Sequence, residues 1–129
     1  MKEQFIYMTL ARNIHTGLYL IKLGFTTNPE RRLSELRNRN SHFEYSEMML
    51  FKHNKKLIRY EMDEKLIHLK NRYYRTNIGK NSLPEGNSEH YEAVITNELY
   101  EQLIDMGYTL INEQEPVQEP AMFEWNWYE

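Results

Sequence analysis

Two arginines lie in a position that favours phosphate binding. Arg31 and Arg32 stand in the first turn of a predicted helix, directly after Asn28 and Pro29, which suit the N-cap and the first helical position. Gly24, just before this turn, permits a close backbone approach that a Cβ atom would block. Because guanidinium groups attract anions, this stretch predicts a strand, a tight turn and a helix that together hold a phosphate.

A second group of side chains could hold a cation. Glu61, Glu64 and His68 lie on a predicted helix, and spacings of three and four residues place them on one side of it. With Tyr7 and Lys22 from earlier strands, a carboxylate here could bind Mg²⁺ while cations stabilise the charge that develops during phosphoryl transfer. Taken singly, Glu64 is typical of a solvated glutamate and Tyr7 of a half-buried core tyrosine. Glu64 and His68 supply two ligands, which is too few for a zinc site.

The elements that must position these residues predict an α+β fold. Strands are expected at residues 4–10, 18–25 and 43–52, and helices at residues 28–39 and 54–72. A loop at 76–88, a short strand at 89–95, a helix at 96–106 and a strand at 108–111 follow. The β-β-α-β-α order predicts a small, mainly antiparallel three-stranded sheet flanked by helices, with a short βα appendage and an acidic tail. The apolar stripe expected to face the core from the long helix is Ile58, Met62, Leu66 and Leu69.

Length and charge divide the chain of 129 residues into one domain, residues 1–111, and an acidic-aromatic tail, residues 112–129. All 16 Lys and Arg residues lie in residues 1–80, together with 8 of the 19 Asp and Glu residues. A basic surface of this kind could meet a polyanion. The acidic end could bind a basic partner, fold back over the basic surface, or keep the protein soluble.

Composition also limits the compartment. The chain has no cysteine, which excludes disulfides and thiolate metal sites. Its N-terminus is too polar for a signal peptide, and no apolar run approaches the ~20 residues of a membrane helix. We therefore expect a cytoplasmic protein with no membrane partner.

Five short motifs follow one another along the chain. They are Ile6-Tyr7, Lys22-Leu23-Gly24, FTTNPERRLSEL from residue 25, Glu64 with Ile67-His68, and Glu89-His90-Tyr91. In this order the chain resembles the GIY-YIG nuclease superfamily, and within it a phage-associated branch whose second signature reads Lys-Ile-Gly. The resemblance covers roughly residues 5–92, and its spacing selects Arg32, rather than Arg31, as the arginine of the family.

The resemblance implies a DNA endonuclease that hydrolyses phosphodiester bonds with Mg²⁺ or another divalent metal such as Mn²⁺. It makes Tyr7 the general base or water-positioning group, Arg32 the phosphate clamp, Glu64 the metal ligand and Lys22 an electrostatic helper. The further residues expected to bind substrate are Gly24, Arg31 and His68.

An alternative remains on the same fold, namely a catalytically weak or inactive module that binds nucleic acid or another protein. Phe5 replaces the glycine of the first signature, and Leu36 stands where several nucleases have a histidine. His42 lies beyond the helix and does not replace that histidine. Since no separate DNA-reading domain is visible, specificity would come from the loop at 73–88, from a homodimer or from a protein partner.

Overall fold

Two long strands form the centre of the sheet in the computed structural model, which describes residues 2–112. Strands β1 (Phe5–Asn13) and β2 (Tyr19–Thr26) pair in antiparallel fashion, so the predicted hairpin is confirmed. Tyr7 lies opposite Gly24 in this register. Because side chains alternate along a strand, Lys22 lies on the same face as Gly24.

Within the described residues the sheet has six strands, so the expected three-stranded sheet is wrong, whereas the α+β class and the antiparallel pairing are confirmed. The other strands are β3 (Phe43–Tyr45), β4 (Met49–His53), β5 (His90–Glu92) and β6 (Tyr108–Leu110). Their order is β5-β2-β1-β4-β6, and β3 also pairs with β1. The short strands β5 and β6 extend the sheet on either side.

The predicted strand at 43–52 is interrupted at Ser46. The Ser46 backbone N–H donates to the Leu10 carbonyl oxygen at 2.9 Å, and the Ser46 hydroxyl oxygen accepts from the Leu10 N–H at 3.0 Å. Side-chain and backbone bonds from one residue thus replace the regular ladder, and two short strands result.

Between residues 2 and 112 the fold also contains three α-helices: α1 (Pro29–Arg39), α2 (Tyr60–Lys70) and α3 (Thr96–Asp105). The predicted start of α1 is confirmed, because the Asn28 side chain accepts a hydrogen bond from the Arg31 N–H at 3.1 Å. Single turns of 3₁₀ helix occur at Arg72–Tyr74, Asn87–Glu89 and Ala93–Ile95.

Helix α2 is shorter than predicted and turns a different side to the core. It starts at Tyr60, since Arg59 has a left-handed φ of 71°. The predicted stripe is wrong: Ile58 precedes the helix, and Met62, Leu66 and Leu69 are exposed. The buried residues are Tyr60, Asp63, Glu64 and Ile67.

Two acidic residues can be buried on α2 because each has a partner. The Asp63 Oδ2 atom lies 2.6 Å from both the Lys56 ammonium and the Tyr108 hydroxyl. Glu64 Oε2 lies 2.9 Å from His68 Nε2. These bonds offset the cost of removing the carboxylates from water.

The sheet separates two apolar clusters. One contains Ile6, Met8, Ile21 and Leu23 of the hairpin with residues of α2 and α3. The other contains Tyr7 and Ala11 with residues of α1, β3 and the loop residue Leu83. Among residues 2–112, no helix is long and apolar enough to cross a membrane. The predictions made for the tail from residue 113 onward lie outside the described residues.

Candidate phosphate and metal site

Tyr7, Lys22 and Arg32 meet on the face of the hairpin that α1 covers. The Arg32 Nε–H donates a hydrogen bond to the Tyr7 hydroxyl oxygen at 3.3 Å. The Lys22 ammonium lies 5.0 Å from the centre of the Tyr7 ring. Tyr7 and Lys22 are fully buried, whereas the Arg32 side chain is 20% exposed. Three residues from separate elements therefore form one cluster.

Two glycines make room for this cluster. A Cβ atom on Gly24 would lie 2.5 Å from the Tyr7 hydroxyl oxygen and 2.8 Å from Lys22 Nζ. Gly86 has a φ of 69°, and a Cβ atom there would lie 2.8 Å from Lys22 Cε. The open space at Gly24 is thus filled by side chains of the protein itself.

Lys22 is paired with a carboxylate from the far end of the loop. Its Nζ atom lies 2.5 Å from Glu89 Oε1. Burial works to lower the pKa of Lys22, but the interactions with Tyr7 and Glu89 outweigh it and raise that pKa. Burial likewise works to raise the pKa of Glu89, and Lys22 lowers it. Lys22 is therefore a fixed cation and not a proton acceptor.

Arg32 is also occupied by carboxylates. Its Nη1 atom lies 2.7 Å from Glu85 Oε1 and 3.1 Å from Glu35 Oε1. The second oxygen of Glu85 accepts from Arg39 Nη1 at 3.1 Å. The hydrogen bond from Arg32 lowers the pKa of Glu85 despite an opposing effect of burial, so Glu85 is an anion that binds two arginines.

A buried polar chain fixes the loop that carries Glu85. The Tyr45 hydroxyl accepts from Asn40 Nδ2 at 2.6 Å and lies 2.8 Å from His90 Nε2. His90 Nδ1 donates to the Gly86 carbonyl oxygen at 2.7 Å, and Asn40 Oδ1 accepts from the Glu85 N–H at 2.9 Å. Burial and the nearby ammonium of the cluster lower the pKa of His90 to about 3, so the ring is neutral.

A second cluster consists of Glu64, His68 and Glu89. One ligand atom from each residue lies within 4.8 Å of the others. Two carboxylates and an imidazole are a donor set that fits a divalent cation. Because Glu89 also binds Lys22, this one residue joins the metal-type donors to the cationic cluster.

The remaining predicted residues lie outside these contacts. Arg31 has a side chain that is 63% exposed and lies 3.9 Å from Glu35, so the two neighbouring arginines differ in surroundings. Glu61 is also exposed and pairs with Lys65 at 3.8 Å.

Sequence reasoning gave no site role to Glu35, Glu85 or Glu89. Glu35 lies one turn after Arg31 and Arg32, and an acidic residue at that spacing is a signal that could have been noticed. Glu85 lies in a predicted loop, and its contact with Arg32 spans 53 residues. Glu89 lies in the final motif but had no assigned chemistry.

Comparison with known proteins gives one family. The model of the T5orf172 domain matches residues 4–109, which include every residue of both clusters. Searches of curated proteins and of solved structures gave no match.

Proposed function

We propose that this chain, which belongs to the T5orf172 domain family, is a divalent-metal-dependent DNA endonuclease of the GIY-YIG type. The family is phage-associated and falls in the class of GIY-YIG-like and homing-endonuclease-like domains, for which a nuclease-like or DNA-binding function is plausible. Metal dependence, phosphodiester hydrolysis and the choice of DNA belong to the proposal.

One observation carries it: Tyr7 lies beside both Arg32 and Lys22, and Glu89 lies close to both Lys22 and Glu64. Phosphodiester hydrolysis needs a cation for the phosphate, an acceptor for the attacking water and an anchor for a metal. The two clusters together offer one residue for each requirement: Arg32 for the phosphate, Tyr7 for the water and Glu64 for the metal.

Each side chain can be given a role from its contacts. Arg32 keeps a partly exposed guanidinium, which can form two parallel hydrogen bonds to phosphate oxygens. Tyr7 would accept the proton of the attacking water as a phenolate, or position that water as a neutral hydroxyl. A P–O bond to water then forms as the P–O bond to the leaving sugar oxygen breaks, and this oxygen takes up a proton from solvent. Lys22 is buried, so it acts through its charge and not by direct contact.

Glu64 is the residue that would hold a divalent cation, since it is an ionisable carboxylate beside a histidine. When bound, such a cation supplies a Lewis acid for the phosphate and a more acidic water.

The loop must move before a substrate can reach this centre. Tyr7 is fully buried, and Leu83 of the loop packs in the same apolar cluster. Glu85 occupies the guanidinium of Arg32. A phosphate must therefore displace this carboxylate, which holds the position that we assign to the substrate.

The test is cleavage of supercoiled plasmid DNA by the full chain with Mg²⁺ or Mn²⁺. Arg32→Ala and Glu64→Ala should abolish cleavage. Matched comparisons exist one to three residues away, at exposed positions: Arg31→Ala should lose less cleavage than Arg32→Ala, and Glu61→Ala should cleave normally. Equal loss in Arg31→Ala and Arg32→Ala would contradict the assignment.

A second candidate function is a binding module without catalysis, and the pairing of Arg32 with Glu35 and Glu85 favours it. In that case the arginine is a structural residue. Wild-type protein that binds duplex DNA, remains uncut by both metals and loses no affinity in Glu64→Ala would support the module and exclude the nuclease.

A further inference from the structure

We propose that Glu64, His68 and Glu89 together form a three-ligand site that selects Mn²⁺ over Mg²⁺. The inference rests on the proposed function, because it assigns the ligands and the preference of the same cation site. Its starting point is the convergence of three donor atoms within 4.8 Å. Opposite ligands of an ion with bonds of about 2.1 Å are about 4.2 Å apart, so a shift of about half an ångström closes the site.

Glu64 has an oxygen to offer. The residue is 6% exposed, and its Oε2 atom bonds to His68. Its Oε1 atom has no hydrogen-bond partner among residues 2–112. A buried carboxylate oxygen without a partner is costly, and a cation would satisfy it.

His68 is held in a position suited to a ligand. Its Nδ1 atom lies 2.5 Å from the hydroxyl of the buried Tyr91, and the two rings are parallel to within 6°. When the proton lies on Nδ1 and is donated to the Tyr91 oxygen, the hydrogen bond between Nε2 and Glu64 is absent, and Nε2 presents its lone pair on the side of Glu64 for a cation. A fixed partner on the second ring nitrogen is what metal-binding histidines require.

Glu89 reaches the site from another part of the chain. Its Oε1 atom bonds to Lys22, which leaves the second oxygen for a cation. Glu89 supplies the third ligand that Glu64 and His68 lack on their helix.

The donor set gives the metal preference. Mg²⁺ binds through oxygen atoms and retains much of its water, whereas imidazole nitrogen suits first-row transition metals better. A site with one nitrogen and two carboxylate oxygens should therefore bind Mn²⁺ more tightly than Mg²⁺.

The experiment measures metal binding directly, with full chain and no nucleic acid. MnCl₂ is titrated while the six-line electron paramagnetic resonance signal of free Mn²⁺ is followed, and MgCl₂ is added as a competitor. One Mn²⁺ should bind per chain, and Glu89→Gln and His68→Asn should each weaken it by about tenfold or more. Since Glu89→Gln also disturbs the pair with Lys22, His68→Asn is the variant that leaves this pair intact.

Glu61→Gln and Glu92→Gln are the matched controls, because both residues are exposed and neither belongs to the cluster. Both should bind Mn²⁺ as the wild type does. Unchanged Mn²⁺ affinity in His68→Asn, or equal affinity of the wild type for the two metals, would overturn the three-ligand site even if the plasmid is cut. If Mn²⁺ binds as expected but the plasmid is not cut, the three-ligand site is supported and the proposed nuclease activity is refuted.

Discussion

Replacing Glu85 with glutamine should tighten the binding of duplex DNA. Glu85 contacts Arg32 and Arg39, and both contacts compete with phosphate for the same guanidinium groups. Glutamine keeps the shape of the side chain and its backbone bonds to Asn40, while it removes the negative charge.

The magnitude follows from the exposure of the two pairs. The bond between Arg32 and Glu85 is 2.7 Å long, and its side chains are 20% and 23% exposed. A charged hydrogen bond of this kind contributes about 1.5–3 kcal/mol, and a neutral amide retains about 0.5–1.5 kcal/mol of it. Arg39 is 57% exposed, so water screens its pair strongly. The variant should therefore gain about 1 kcal/mol in the free energy of DNA binding, which lowers the Kd about fivefold.

Fluorescence anisotropy with a short labelled duplex, in EDTA to prevent cleavage, measures this gain. Glu101→Gln is the control, since it changes the net charge equally from an exposed position on α3. The difference between the two variants should shrink at high salt, because screening weakens the competing pair and the phosphate contact together.

Equal Kd values for Glu85→Gln, Glu101→Gln and the wild type would refute the reasoning. Glu85 would then lie outside the path of the phosphate. The same gain in both variants would point to net charge alone.

Two further predictions concern stability. The unfolded chain protonates His90 near pH 6.5, but the folded protein does so only near its lowered pKa of about 3. Stability should therefore be full above pH 6.5 and fall by about 2 kcal/mol between pH 6.5 and 5, as urea unfolding would show, and His90→Gln should remove this slope. Gly24→Ala should cost about 1–3 kcal/mol by pressing on Tyr7. Gly79→Ala, with open space around it, should change stability by less than about 0.5 kcal/mol in the same assay.

Local signals explain what the sequence could predict of the fold. Alternation along β1 and β2, and the cap formed by Asn28 and Pro29, involve residues close in the chain, and the structure contains the hairpin and α1 as expected. The strands at the edges of the sheet depend on partners that are distant in the sequence. Strand β6 pairs with β4 across more than fifty residues, so no local pattern indicates that the sheet has six strands.

Helix α2 shows how periodicity can indicate the wrong face. Its apolar residues at helical spacing, such as Met62 and Leu66, suggested a core stripe, yet both are exposed. Asp63 is buried instead because Lys56 and Tyr108 supply its partners. Hydrophobic periodicity assigns a polar residue such as Asp63 to the exposed face unless its partners are known. One partner of Asp63 is Tyr108, which lies in the distant strand β6.

The residues of the candidate site also fall into those that the sequence could identify and those that it could not. Tyr7, Lys22 and Arg32 could be named from motifs and spacing, and the structure brings them into contact or proximity. Glu85 and Glu89 could not be named, because their roles depend on the path of a loop. That path is fixed by side-chain bonds to backbone groups, which leave no periodic trace in the sequence.

The loop carboxylates also explain how the cationic cluster exists without substrate. A buried Lys22 and a largely buried Arg32 need anions nearby, and Glu89 and Glu85 provide them. A phosphate that binds Arg32 must therefore replace the stabilising contact that Glu85 makes in the folded protein. Glu85→Gln should lower the free energy of unfolding by about 1 kcal/mol without DNA, and saturating DNA should stabilise it more than it stabilises the wild type. Urea unfolding with and without duplex tests this. A variant that binds DNA more tightly at no cost in stability would show that Glu85 does not occupy the phosphate position.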